Sequence, residues 1–276
     1  MSKKKSNINR RDFLKSGAVA ITSLGVVGAG VGYLKYAKGS NPQKVNFLRP
    51  PGAINSDEFI FGCIKCGLCV QICPIQAIKL ADIDQGLSYG TPYMDVREQA
   101  CDFSCDSLQC VETCPTGVLD FKPFKKRGEE AVAEYQQEHK VAEEGYNPFK
   151  VQIKAMKEAV SIGMAKVIDD TCLAVKGEGF HGTPRGKDFD GVNRTPGSGA
   201  DKASPIREKT FDREICDLCV TECPIGEKAI VLEEKRANDG EKSYRPKVLE
   251  GCTGCGVCTM VCPTKEPSIV IEPVKA

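Results

Sequence analysis

The chain contains no tryptophan, only two histidines and almost no net charge, its 38 Lys and Arg offsetting 37 Asp and Glu. A formal charge of +1 provides no basic field that would draw nucleic acid or an anionic membrane surface, so neither is expected as the main partner. No cysteine is followed directly by histidine, which excludes covalent haem attachment through C-x-x-C-H. A strongly apolar run is also missing: Ser16 to Leu34 carries no charge over nineteen residues, yet it is rich in Gly and Ala and only mildly apolar. With 41% hydrophobic residues, a chain of 276 can still form one large or two small globular units.

Against these shortages stand sixteen cysteines, enough for a disulfide framework, zinc sites or iron-sulfur clusters. Spacing separates these readings. Cys63, Cys66, Cys69 and Cys73-Pro74, and again Cys252, Cys255, Cys258 and Cys262-Pro263, follow C-x2-C-x2-C-x3-C-P, the bacterial ferredoxin run. Three thiolates two residues apart on a tight loop can wrap one face of a cubane, and in two-cluster ferredoxins the fourth serves the other cluster. A second group, Cys101, Cys105, Cys110 and Cys114-Pro115, keeps the ending but stretches the loop. A third, Cys216, Cys219 and Cys223-Pro224, is one cysteine short.

Cys172 stands alone, with 43 residues between it and Cys216. As the missing ligand of the third group it completes four sets of four; the alternative is a small buried hydrophobe, the usual fate of a free cysteine. The long closing loop is a weak objection, since each doubling of length costs only about 0.6 kcal/mol. Zinc sites usually pair C-x2-C with a distant second pair, unlike these crowded groups, and cysteines two residues apart seldom make good disulfides. The expected cofactors are therefore four 4Fe-4S clusters, whose order along the chain is expected to lay out a conducting row.

Each C-P leads into an apolar run that could form a strand: CPIQAIKL, CPTGVLDF, CPIGEKAIVL and CPTKEPSIVI. The repeat predicts an α+β fold of two ferredoxin-like modules of the bacterial two-cluster type, 45–121 and 166–276, joined by a helical insertion, 122–165. Gaps of 27 residues between groups one and two and 28 between three and four favour adjacent pairing, although nesting one with four and two with three remains open. Gly67, Gly254 and Gly256 are placed to let backbone N–H groups approach sulfur. In the insertion, Ile153, Met156, Val160, Met164 and Val167 share one face at helical spacing and are expected to pack on a module. Residues 176–209 read as an irregular loop, and His181 within it as a solvated histidine rather than a ligand.

Before all this, Arg10-Arg11-Asp12-Phe13-Leu14-Lys15 and the weakly apolar run resemble a twin-arginine export signal over 1–40. That route carries folded proteins, often with a cofactor already loaded, so a periplasmic location is expected. No clean A-x-A cleavage site follows, and the run nearly reaches bilayer length, leaving retention as a membrane anchor open.

With the four groups in order, FLRPPGAIN at Phe47 to Asn55 and GLSYGTPY at Gly86 to Tyr93, the chain resembles the ferredoxin-type G subunit of the periplasmic nitrate reductase system and the related methylamine-utilisation M proteins. The resemblance covers most of 8–121 and 166–275. In that family the third group also begins with an isolated upstream cysteine, which fits Cys172. The long gap from Cys172 to Cys216 and the segment 122–165 depart from the family pattern. The resemblance implies an electron carrier, not an enzyme, taking electrons from an integral membrane ferredoxin-like subunit that oxidises quinol. It would pass them, directly or through a multihaem cytochrome, toward periplasmic nitrate reductase. Service to another exported molybdoenzyme or to methylamine utilisation, and a zinc- or disulfide-stapled exported interaction module, are the alternatives.

Overall fold

The computed structural model describes residues 47–138, 147–184, 209–236 and 242–274. The expected export signal, 1–40, and residues 185–208 of the expected loop insertion lie outside the described residues. The described residues form one compact unit of mixed helix and strand.

The segment Phe47 to Gly52 enters the core directly. Leu48, Arg49, Pro50 and Pro51 are buried, and Gly52 turns the chain at φ 74°, where a Cβ would lie 2.9 Å from Val111 and 3.0 Å from the Asp120 carbonyl. Helix α1, Ser56–Gly62, starts at Asn55, whose side chain accepts from the Asp57 N–H. Two very short elements follow, helix α2, Leu68–Gln71, and strand β1, Ile78–Leu80, which pairs antiparallel with β2, Pro92–Met94. Helix α3, Gln109–Glu112, repeats the pattern of α2, but the apolar run after Cys114 reaches only a single bridge, Leu119 with Ala53.

The insertion begins with two packed helices, α4, Lys122–Glu138, and α5, Pro148–Glu158. Asn147 caps α5 by accepting from the Phe149 and Lys150 N–H groups, with Pro148 in the first turn where its missing donor costs nothing. Close approach of the two helices is possible because Gly128 carries no Cβ: one built there would sit 2.7 Å from Gln152. The expected helical stripe divides here. Met156 and Val160 are buried as expected, but α5 ends at Glu158, and Met164 and Val167 belong to strand β3, Gly163–Val167. Period-2 alternation wins over helical period because β3 pairs antiparallel along its whole length with the last strand, β8, Ile269–Pro273, placing Ala165 inward and Met164 outward.

The remaining elements complete a second cysteine-bearing half. Strand β4, Phe180–Gly182, pairs with β5, Phe211–Arg213, so part of the expected irregular loop is ordered into a small ribbon. Helix α6, Leu218–Thr221, then strands β6, Ile230–Arg236, and β7, Lys242–Val248, form an antiparallel hairpin, and α7, Val257–Val261, leads into β8. One hydrophobic core runs through both halves, with Phe59, Leu108 and Val111 from the first and Leu218, Val257 and Val261 from the second. Arg97 ties them further: its guanidinium donates to the carbonyls of Thr259 at 2.6 Å, Cys262 at 2.8 Å and Thr264 at 2.5 Å.

Backbone meets backbone most closely where Gly254, at φ 70°, faces Gly163, and a Cβ on Gly254 would lie 2.3 Å from the Gly163 nitrogen. Gly254→Ala is expected to destabilise the protein by about 2–4 kcal/mol, combining left-handed strain with a clash that no side chain can relieve. Gly117→Ala, also at positive φ but with nothing within 4 Å, should lose only about 1–2 kcal/mol. Melting curves of the two variants against the unaltered protein check the difference.

Candidate metal centres

The four cysteine groups share a local construction. The third cysteine of each triplet sits on a short helix: Cys69 on α2, Cys110 on α3, Cys219 on α6 and Cys258 on α7. Left-handed backbone starts three of these helices, at Gly67 (φ 75°), Leu108 (φ 53°) and Gly256 (φ 84°), reversing the loop so that the preceding cysteines face the helix. The final cysteine of each group comes just after the helix, and the proline beyond it prevents the helix from continuing.

This geometry divides the sixteen thiols among four open cavities, four cysteines to each. Site 1 is lined by Cys63, Cys66 and Cys69 with Cys114 from the second group. Site 2 is lined by Cys101, Cys105 and Cys110 with Cys73 from the first. Site 3 gathers Cys172, Cys216 and Cys219 with Cys262 from the fourth group, and site 4 gathers Cys252, Cys255 and Cys258 with Cys223 from the third. Adjacent groups thus exchange their last cysteines, and the nested alternative does not describe the arrangement. Cys172, the isolated residue, stands in the one place the third group leaves open.

Electrostatics follows the same division. Burial first, then the charges of Cys63, Cys66 and Cys114, push the Cys69 thiol up to about 11. Cys216 is pushed up to about 11 by burial, aided by Cys262 and Cys172, although backbone bonding at Leu218 opposes it. Cys255 also rises to about 11, through burial and the charges of Cys223 and Cys252. Burial drives Cys101, Cys219 and Cys258 well above the ordinary thiol value. Cys114 moves the other way: burial raises it, but backbone bonds from Leu119, Thr116 and Gly117 and the Thr116 hydroxyl outweigh that and favour thiolate. Backbone N–H groups also point at sulfur elsewhere, from Ala77 to Cys73 at 3.3 Å and from Ser268 to Cys262 at 3.3 Å.

These donor sets fit a cubane better than the alternatives. A structural zinc would draw four sulfurs to about 2.3 Å from one centre, and among the described residues no three His, Cys, Asp or Glu side chains converge on a single-ion position. No cysteine is bridged to another. Four thiols standing around the walls of a cavity, some already receiving N–H bonds, suit a body with several iron atoms and bridging sulfides. The sixteen cysteines would hold the iron, and the N–H donors would tune its potential.

Other expectations meet the structure unevenly. His181 lies on β4 with its ring against the Asp212 carboxylate, exposed and lining none of the four cavities. Gly254 and Gly256 are required less by sulfur than by neighbouring chain, Gly163 against the one and Val96, at 2.3 Å from a built Cβ, against the other. Two arginines were not foreseen. Arg49 is buried, donating to Thr91 Oγ1 and the Pro92 carbonyl at 2.8 Å, with its guanidinium 4.9 Å from the Phe59 ring centre; burial lowers its pKa and the charge of Cys63 opposes the shift. Arg97 stands in the same relation to Cys262. The quoted FLRPPG segment contains Arg49, but nothing in spacing distinguishes a buried arginine from a surface one.

Cys172→Ser is expected to lower iron by about four atoms per chain from a full complement of about sixteen, leaving sites 1, 2 and 4 loaded; colorimetric iron and sulfide analysis reads the result. Because the thiols at about 11 are protonated at pH 7, loading must expel protons. Reconstitution in weak buffer should therefore acidify the solution and become more complete as pH rises from about 7 to about 9. A pH indicator and the visible absorbance of the product follow both.

Residues 62–118 and 214–265 match the 4Fe-4S dicluster domain family. The chain is 29% identical over 251 residues to the ferredoxin-type protein NapG of Escherichia coli, covering 90% of this chain and 78% of that protein. It is 27% identical over 253 residues to the methylamine utilization ferredoxin-type protein MauM of Paracoccus denitrificans, covering 90% and 80%. The MauM protein of Methylorubrum extorquens is 38% identical over a shorter stretch, 122 residues, or 44% of this chain and 53% of that one. No solved structure matches the chain. The resemblance read from the sequence therefore holds: the chain is similar to NapG and MauM ferredoxin-type proteins over about 90% of its length, and the 4Fe-4S dicluster domain model matches in each of its cysteine-bearing halves.

Proposed function

We propose that the chain is a one-electron carrier holding four 4Fe-4S clusters in two ferredoxin-like modules, 45–121 and 166–276, with no catalytic site of its own. The observation that carries this reading is the complete use of the sixteen thiols, four to each cavity, which leaves no cysteine over to serve as a nucleophile. Thiolates in a partly buried pocket hold the metal, N–H donors offset the charge gained on reduction, and the fixed fold keeps the reorganisation on electron gain small.

The similarity to NapG supports a place between membrane quinol oxidation and periplasmic nitrate reduction. The donor is an integral membrane ferredoxin-like subunit and the acceptor is the reductase or a multihaem cytochrome. The twin-arginine motif at Arg10-Arg11 supports export to the periplasm after cluster loading. A second reading, electron transfer in methylamine utilisation, is favoured by the higher identity to one MauM protein over 122 residues.

The protein purified without oxygen is expected to be brown, with about sixteen iron and sixteen sulfide per chain and an EPR signal appearing on reduction. Stoichiometric zinc without visible absorbance would sink the carrier reading. Reoxidation of the reduced protein by periplasmic nitrate reductase, but not by an acceptor of methylamine oxidation, separates the two assignments. Replacing Arg10-Arg11 by two lysines should retain the protein in the cytoplasm, as cell fractionation would reveal.

A further inference from the structure

We propose that electrons pass through the sites in the order 1, 2, 4, 3, crossing between the halves at the contact of Cys101 with Cys255, so that the third cysteine group holds an end of the row rather than its interior. The inference rests on the electron-carrier reading above and deepens it. Its basis is which ligands touch.

Within each half the neighbours are fixed by ligand exchange. Helices α2 and α3 pack together, and the chain leaving each one supplies the last cysteine of the other's site, so little more than these two helices separates sites 1 and 2. Helices α6 and α7 relate sites 3 and 4 in the same way. Between the halves, the Cys101 N–H, at a ligand of site 2, donates to the Cys255 carbonyl, at a ligand of site 4, at 3.2 Å. The surroundings hold this bond in register. Val96 packs against Gly256, where any side chain would collide with it, and the Ala100 N–H lies 3.4 Å from the Met260 sulfur. Both partners follow the conformation of their own cysteine loop, so the bond joins the walls of the two cavities directly.

Site 1, with Cys66 exposed, stands at one end of this row. Site 3, completed by Cys172, stands at the other. The fourth group in sequence therefore supplies the interior site, and the row departs from chain order. Each hop moves one electron: the site that gives it up is oxidised, the neighbour that takes it is reduced, and no bond or proton changes place.

The test uses the full-length holoprotein with Cys66→Ala and Cys172→Ala together, prepared without oxygen and fully reduced with dithionite. Iron of about eight per chain verifies that sites 1 and 3 are empty and that sites 2 and 4 are loaded. The order proposed leaves two neighbours, and the EPR spectrum is expected to be broadened by their magnetic coupling. Two narrow, uncoupled signals would overturn it, because chain order would leave sites 2 and 4 separated by the emptied site 3. The single variant Cys172→Ala gives an independent reading. Three coupled clusters are expected, whereas a separate uncoupled component carrying one spin in three would mean that an interior site had been removed. Should either variant fail to fold, hydrogen exchange on the unaltered holoprotein decides: the Cys101 amide is expected to be strongly protected, and exchange at the rate of an open loop would remove the junction. An unaltered chain without iron ends the carrier reading and the order with it; a loaded chain with uncoupled sites ends the order alone.

Discussion

Four sulfur atoms confined to one cavity cannot all be bare anions. Two like charges about 6 Å apart repel by about 3 kcal/mol at an effective dielectric near 20, and four of them make six such pairs. That sum matches or exceeds the whole stability of an ordinary domain, about 5–15 kcal/mol. Each cavity must therefore hold its sulfurs as neutral thiols or surround a positive body with them. Burial raises the thiols of Cys69, Cys216 and Cys255 and neighbouring sulfur charge adds to it, whereas the N–H bonds to Cys73 and Cys262 favour thiolate. The short helices, left-handed caps and proline exits all bring these sulfurs to the same walls. A positive body inside those walls would let all four sulfurs ionise together.

Much of this was legible in the sequence because cluster binding depends on spacing along a loop, and spacing is what a sequence records. The C-x2-C-x2-C-x3-C-P runs and the apolar tails pointed to the cysteine loops and to strands β1, β6 and β8. Cys172 could be placed beside the third group by arithmetic, since that group lacked one member, and it lines the same cavity as Cys216 and Cys219. What could not be read was contact between distant segments. The helical stripe through Met164 failed because β8 offered a pairing partner more than one hundred residues away, and tertiary pairing outweighs local period. The choice between adjacent and nested exchange, the burial of Arg49 and the reach of Arg97 to three carbonyls likewise depend on contacts between segments far apart in the chain.

The insertion does more than separate the two halves. Its last strand completes a sheet with the end of the chain, and Lys157 from α5 donates to the Phe103 carbonyl at 2.6 Å, inside the loop of the second group. Gly163 fits against Gly254 in the loop of the fourth group. The segment expected as an insertion thus braces two cysteine loops, those whose walls meet at the hydrogen bond from Cys101 to Cys255.

The exchange of last cysteines between neighbouring groups bears on how the protein matures. A ribosome that has released the first group alone has made three-quarters of one cage and a single post of another, and neither can close until the second group emerges. The third cage is held up further, because its first post, Cys172, appears long before its last, Cys262. Loading of iron and inorganic sulfur would consequently be a late, interlocked event for each half, and a chain broken off between the two groups of a half would leave both cages of that half unfinished.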